Sequence, residues 1–331
     1  MAATATPESR PPLRHHDYGF FGPDSPTWRV WAAPTALIGF QRSVVLEHFD
    51  PFLAAAVADM QGIYRDPHGR LDRTLAYFLT VAVGDGRTAI AASEFLMKVH
   101  AKATGIEPIS GKRYSANNPE SQLWIHVTGW HSVLKCYEMY GPGPLSAEDE
   151  RRYWADCVVA AELQTCKPSD VPRSRAEVRE YFAEVRPRLC TSERANEGMH
   201  FLLRTPRTRA GVKLWAFSRL IAPATVATLP RWMRETGGFD QPWALDRALV
   251  PVVRAGVKAF SSPAASVAAL DHIAPATGRV LREHLRSAPP MRAETITPAR
   301  AREVFGRAAT PSNGAAPERG VPIPGPEVVT T

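Results

Sequence analysis

The sequence predicts an all-α fold, a single helical domain with disordered termini. Three observations carry this: apolar residues recur at helical spacing in successive blocks, several blocks open on N-capping signatures, and no set of alternating strands accompanies them. With 331 residues, 44% of them hydrophobic, the chain holds enough apolar material for a core that encloses a ligand. Connections stay short from about Trp28 to about Leu285, so one domain over residues 17–285 is expected rather than two.

The elements follow in order. Residues 1–16 are rich in Pro, Ala and Thr and are expected to be disordered. Phe52, Leu53, Ala56, Val57, Met60 and Ile63 recur at helical spacing. Leu75, Phe78, Leu79, Ala82 and Val83 do so again before Gly84. The next helix carries His100 and is expected to end at Gly105, and Gly111 makes 109–114 a hairpin or an irregular lid. Asn118 with Pro119 then reads as N-cap and first residue of a helix running past Trp124 and His126 to Tyr140, where Gly141-Pro-Gly-Pro stops it.

Ser146 with Asp149, and Ser174 with Glu177, are two further capping boxes. Leu214, Trp215, Phe217, Leu220 and Ile221 form an apolar helix expected to end before Pro223. Residues 243–285 read as helical, either covering the core or forming a subunit contact. Residues 286–331 form a C-terminal extension, mostly disordered after about 308, where Pro-Ser-Asn-Gly and Pro-Ile-Pro-Gly-Pro lack periodic apolar residues.

The formal net charge is +7, yet the arginines are scattered among acids, as in Glu148-Asp-Glu-Arg-Arg152, and are not gathered with stacking aromatics. This is a solvated helical surface, and no nucleic acid is expected as partner. The four cysteines form no Cys-x-x-Cys pair and no zinc spacing. The absence of an export signal and of a long uncharged apolar window leads to the expectation of a cytoplasmic protein with no membrane span. Oligomeric state is not written in the sequence.

Chemistry concentrates between Arg70 and His126. Arg70 and Thr74, four apart, share a helix face with Arg73 and Tyr77 close by, a guanidinium and hydroxyl suited to an anionic group. The plainer reading stands beside it, with the arginine on a helix C-terminus and the threonine bonding back to its own helix. His100 projects from an apolar strip, where a neutral imidazole either makes a core hydrogen bond or ligates haem iron. His126 either lines the pocket, orients a propionate or caps packing, whereas Trp124 and Trp130 read as packing residues.

The ordered series Arg70-Leu-Asp-Arg-Thr74, Val83-Gly84-Asp85, Val99-His100-Ala101, Gly105, Gly111-x-x-Tyr114-Ser-Ala-Asn117, Pro119-Glu and Trp124-Ile-His126 resembles the MpaB-type oxygenase family, over roughly residues 28–240. That family includes the catalytic domain of the latex-clearing rubber oxygenases. The resemblance implies a globin-like helical core around a haem pocket. It puts His100 at the proximal iron ligand and Arg70 and Thr74 beside the haem, and implies a non-covalent haem b with O₂ as co-substrate, since no Cys-x-x-Cys-His attachment motif occurs.

Two positions depart from the rubber enzymes. Arg73 falls where they carry a distal lysine, and an arginine that stays protonated is a poorer sixth ligand. Met97 replaces the basic residue ahead of the ligand. The expected activity is a haem-dependent oxygenase acting on an apolar small molecule, unsaturated and prenylated ones included, with oxidative C=C cleavage as the family's outcome. On that reading Arg70, Arg73 and Thr74 bond propionate or bound oxygen, and His126 joins the cofactor set. The alternatives are a non-catalytic haem- or small-ligand-binding protein and a di-iron carboxylate protein, for which Glu197-Gly-Met-His200 supplies one of the two Glu-x-x-His units needed.

Overall fold

In a computed structural model, residues 14–306 are described, and they are helical apart from one short hairpin. The expectations for the termini fall mostly on residues 1–13 and 307–331, outside the described residues. Ser25 caps α1 (Pro26–Trp31), and α2 (Ala36–Glu47) follows. Asp50 accepts from the N–H groups of Phe52 and Leu53 to start α3 (Pro51–Met60). The periodic run through Ile63 is not one helix, because Gln61 adopts φ 56° and separates α3 from the single turn α4 (Gly62–Arg65).

Asp66 and Asp85 cap α5 (Pro67–Val83) and α6 (Gly86–His100), accepting from Gly69 N and Thr88 N. Helix α6 ends at His100, not at Gly105. Gly105 instead lies in β1 (Thr104–Ile106), paired antiparallel with β2 (Arg113–Ser115), and Gly111 at φ 70° sits in the link as expected. A Cβ on Gly105 would fall 2.6 Å from the Tyr114 hydroxyl, so the glycine serves the hairpin rather than the helix stop.

Asn118 caps α7 (Pro119–Tyr140) and Ser146 caps α8 (Ala147–Ala161), as the sequence indicates. Ser174 opens α9 (Arg175–Val185), Ser192 opens α10 (Glu193–Leu203), and α11 spans Arg207–Ala227. Pro223 does not end α11; it is accommodated inside, and the break falls earlier, at Gly211 with φ 69°. The short α12 (Arg231–Gly237) leads to α13 (Trp243–Ala259), α14 (Pro263–Ile273), α15 (Pro275–Arg286) and α16 (Pro298–Phe305). No described helix is long and apolar enough to cross a membrane.

The centre of the fold is the antiparallel pair α2 and α7. A Cβ on Gly39 would lie 2.7 Å from Val133 Cα, so glycine lets the two backbones touch. Around the buried Trp130 gather Phe21, Trp31 and Tyr153, and Trp124 is likewise buried, both tryptophans being core. The extension after residue 286 joins this body. Met291 N and Arg292 N donate to His15 and His16 carbonyls, Ile296 N donates to Gly19 O, and α16 lies on α6.

Asp72, inside the Arg70–Thr74 segment, takes its meaning from that C-terminal region. Helix α15 has no side-chain cap of its own, and the buried Asp72 carboxylate accepts from Ala276 N (2.8 Å), Thr277 N (2.9 Å) and Thr277 Oγ1 (2.9 Å). It is an N-cap supplied from another helix, which fixes α15 on α5. Asp72→Ala, leaving those donors bare and buried, is expected to cost about 3 kcal/mol and to lower Tm by roughly 6–9 °C in a thermal melt. A shift under about 2 °C would remove the clasp from the account of the fold.

Candidate functional site

The helices sort into two groups, and the slot is the interface at which α2 of one group faces α5 of the other. Helix α2 packs on α7, α10 and α11, while α5 packs on α6 and α15. Across the gap the α2 and α5 backbones do not pack closely, and side chains face one another instead, Phe40 of α2 against Phe78 of α5 with ring centroids 6.4 Å apart. The α2 residues Leu37, Phe40, Val44 and Glu47 recur every three or four positions and are all half-buried. One stripe of α2 is therefore unsealed by its neighbours and runs from apolar to acidic.

Glu47 closes the polar end. Ser43 Oγ donates to its Oε1 at 2.5 Å, and Arg70 and Thr128 oppose a dominant desolvation, which pushes the carboxyl up to about 7. Arg70, on the facing helix, carries the opposite combination. Desolvation first, then repulsion from Arg73, hold its guanidinium below the ordinary arginine range, with Glu47 partly offsetting them. Yet Arg70 retains substantial accessible surface. Among the described residues its guanidinium makes no hydrogen bond or ion pair, leaving an uncompensated cation beside the slot.

His100 stands at the end of α6, half-buried, and burial followed by the Arg70 charge lowers it to about 4. The imidazole is neutral at any working pH, as a metal ligand requires. Its Nδ1 lies 3.3 Å from Gln122 Nε2, and that amide nitrogen is fixed by Ala116 O at 2.5 Å. Gln122 therefore donates to Nδ1, and the proton of the free imidazole sits on Nε2. A metal ligated through Nε2 would displace this proton, and the Gln122 bond would then have to be remade.

The other anticipated residues are distributed unevenly. Thr74 sits one turn from Arg70, but its hydroxyl donates to Arg70 O at 2.8 Å, the back-bonded arrangement. Arg73 turns outward and pairs with Asp66 at 3.1 Å, with both side chains exposed. His126 is buried between α7 and α8, its Nε2 bonded to Cys157 O at 2.7 Å and its pKa lowered to about 4 by burial. Nδ1 of His126 has no partner among the described residues. Hence Arg70 lies near enough to His100 for its charge to act on the imidazole and Thr74 bonds the Arg70 carbonyl, whereas Arg73 is on the surface and His126 in a helix interface.

Sequence reading missed Glu47 and Gln122. Glu47 is the single acid of α2, and Gln122 lies one turn before His126 on α7. Both signals are visible in the chain, and neither has meaning until the helices are brought together. The Glu197–His200 unit does not form a metal site: His200 Nε2 bonds Gly237 O at 2.9 Å, and no group of three metal-ligating side chains occurs among the described residues.

The arrangement sets a neutral imidazole, His100, near a guanidinium, Arg70, that makes no hydrogen bond or ion pair among the described residues. Compared with known protein families, residues 28–262 match the family described as ER-bound oxygenase mpaB/B'/rubber oxygenase, catalytic domain. No curated protein and no solved structure matches the chain. The match spans well over half of the chain and takes in α2 to α13, with Phe40, Glu47, Arg70, Phe78 and His100, and the chain therefore belongs to the mpaB/rubber oxygenase catalytic-domain family.

Proposed function

We propose that this chain is a cytoplasmic, haem b-dependent oxygenase that uses O₂ to oxidise an apolar small molecule, unsaturated or prenylated compounds being the substrates of choice and C=C cleavage the favoured outcome. The observation that carries the reading is the pairing, beside one slot, of a neutral His100 with an unpaired Arg70 cation. Haem b, when bound, supplies an iron centre able to activate O₂. His100 would hold it through Nε2, and Arg70 would pair with a propionate.

The chain's own residues do the rest. Leu37, Phe40 and Val44 on one wall and Phe78 on the other exclude water and accept an apolar substrate. Glu47 engages Ser43 through Oε1, so its other oxygen is the one left to exchange a proton with substrate, and a pKa of about 7 suits it to either direction of transfer. Thr74 supplies only an acceptor lone pair, its proton being committed to Arg70 O. Arg73 acts at a distance, its charge discouraging further cations near Arg70.

The test is optical. Protein purified with an adequate haem supply should show a Soret band that shifts on reduction with dithionite and again on adding carbon monoxide. It should then consume O₂ in the presence of terpenoid alkenes and release carbonyl products. A colourless protein under those conditions sinks the reading, and a coloured protein that consumes no O₂ with any alkene leaves a haem-binding protein instead.

A further inference from the structure

Helix α13 is built unlike the rest of the molecule. None of its residues is fully buried, although one face, with Val250, Val253 and Val257, rests on Ile38, Cys136, Tyr140 and Ala224. At 100° per residue, Leu245, Val252 and Phe260 fall together along one flank of that seated face, and all three are exposed, Val252 at 68%. Arg247, Arg254 and Lys258 fall together along the opposite flank. Alanines 244, 248, 255 and 259 fill the surface between. The single acid of α13, Asp246, is turned inward onto Arg234 at 2.7 Å, so the solvent side carries cations alone.

Such a helix presents an apolar strip and a parallel basic strip to whatever lies outside. On neighbouring α11, Leu220 is 78% exposed and Lys213 is also exposed. Exposed apolar surface bordered by uncompensated cations fits an anionic, apolar-cored surface, and a lipid bilayer bearing acidic headgroups is such a surface. A second copy of the chain fits poorly, because the same face of a partner would bring further cations and no acid to meet them, Asp246 being paired with Arg234. The arginines are also well placed for headgroups: Arg247 lies over the Trp243 ring at 4.9 Å, an interfacial pair of aromatic and cation.

We propose that α13 is a docking surface for anionic membranes, lying in the headgroup plane with Leu245, Val252 and Phe260 inserted and Arg247, Arg254 and Lys258 on lipid phosphates. Attachment of this kind needs no spanning helix. Binding itself stands independently of the oxygenase reading, whereas its use, drawing an apolar substrate from the bilayer, rests on that reading.

The experiment is flotation of the full chain with vesicles, one set of pure phosphatidylcholine and one of phosphatidylcholine and phosphatidylglycerol in equal parts. Wild type should float with the mixed vesicles, more weakly at high salt, and remain behind with the neutral ones. Val252→Asp should abolish flotation without altering the far-UV spectrum, since the side chain is 68% exposed. The double change Arg247→Ala with Lys258→Ala should weaken binding about 25-fold, at about fivefold per basic residue near an anionic surface. The proposal is overturned if wild type floats with neither set, or if Val252→Asp floats as wild type does. A Val252→Asp protein that instead loses half its mass in solution, with vesicle binding unchanged, assigns the face to a second copy. Because none of these readouts needs haem, the result does not depend on whether the cofactor assignment holds.

Discussion

His100→Gly should leave a protein that folds but takes up haem at least about a hundredfold more weakly, and free imidazole added to the variant should restore much of the Soret band. The expectation rests on what His100 does for the fold, which is little. It is the last residue of α6 and half-buried, and its recorded side-chain contact is a 3.3 Å bond from Gln122, whose amide keeps a shorter bond to Ala116 O without it. Stability should therefore fall by less than about 1.5 kcal/mol while cofactor affinity collapses, a separation that a structural histidine would not give. The pH dependence follows from the same burial. With its pKa lowered to about 4, His100 stays neutral across the usual range, and haem retention should hold from pH 8 down to about 5 before protonation competes with the metal. Undiminished haem content in His100→Gly without imidazole would assign the iron to another side chain.

The helices were legible because their start signals are local. Asn118, Ser146 and Ser174 each accept from the N–H that capping chemistry predicts, and the all-α class follows from them. The stops were less legible, since a glycine or proline near the end of a pattern has several uses. Gly105 makes room for the Tyr114 ring, and Pro223 lies inside a helix. The site divides the same way. Arg70, Thr74 and His100 lie within 31 residues and declare themselves by spacing and family likeness. Glu47 acquires a role only when α2 faces α5, and Asp72 only when a helix 204 residues further on settles upon it. Arg73 and Arg70 are three residues apart, yet one ends in an ion pair with Asp66 and the other beside the slot, a distinction set by which neighbours crowd each face.

Glu47→Gln should raise stability and lower turnover at once. The carboxyl sits at about 7 in the folded chain against an ordinary 4.5, the main cause being burial. A raised folded pKa means the native state holds its proton more tightly than the unfolded chain. Stability is then intact below about 4.5, declines as pH rises, and carries the full penalty of an ionised buried carboxylate above about 7. At 1.36 kcal/mol per unit, that penalty is about 3 kcal/mol as an upper bound. Glutamine, nearly isosteric and uncharged, avoids it while keeping an acceptor for Ser43 Oγ. Urea midpoints of wild type and variant, compared in the same cofactor state, should coincide near pH 4.5 and separate in the variant's favour at pH 8. Turnover should move oppositely, falling about a hundredfold, and the rise of wild-type rate with a midpoint near pH 7 should vanish. Equal midpoints at both pH values would show that Glu47 is solvated. A stabilised variant with undiminished turnover would leave the strained carboxylate without a catalytic purpose, and the proton exchange proposed for the slot would have to move to another group.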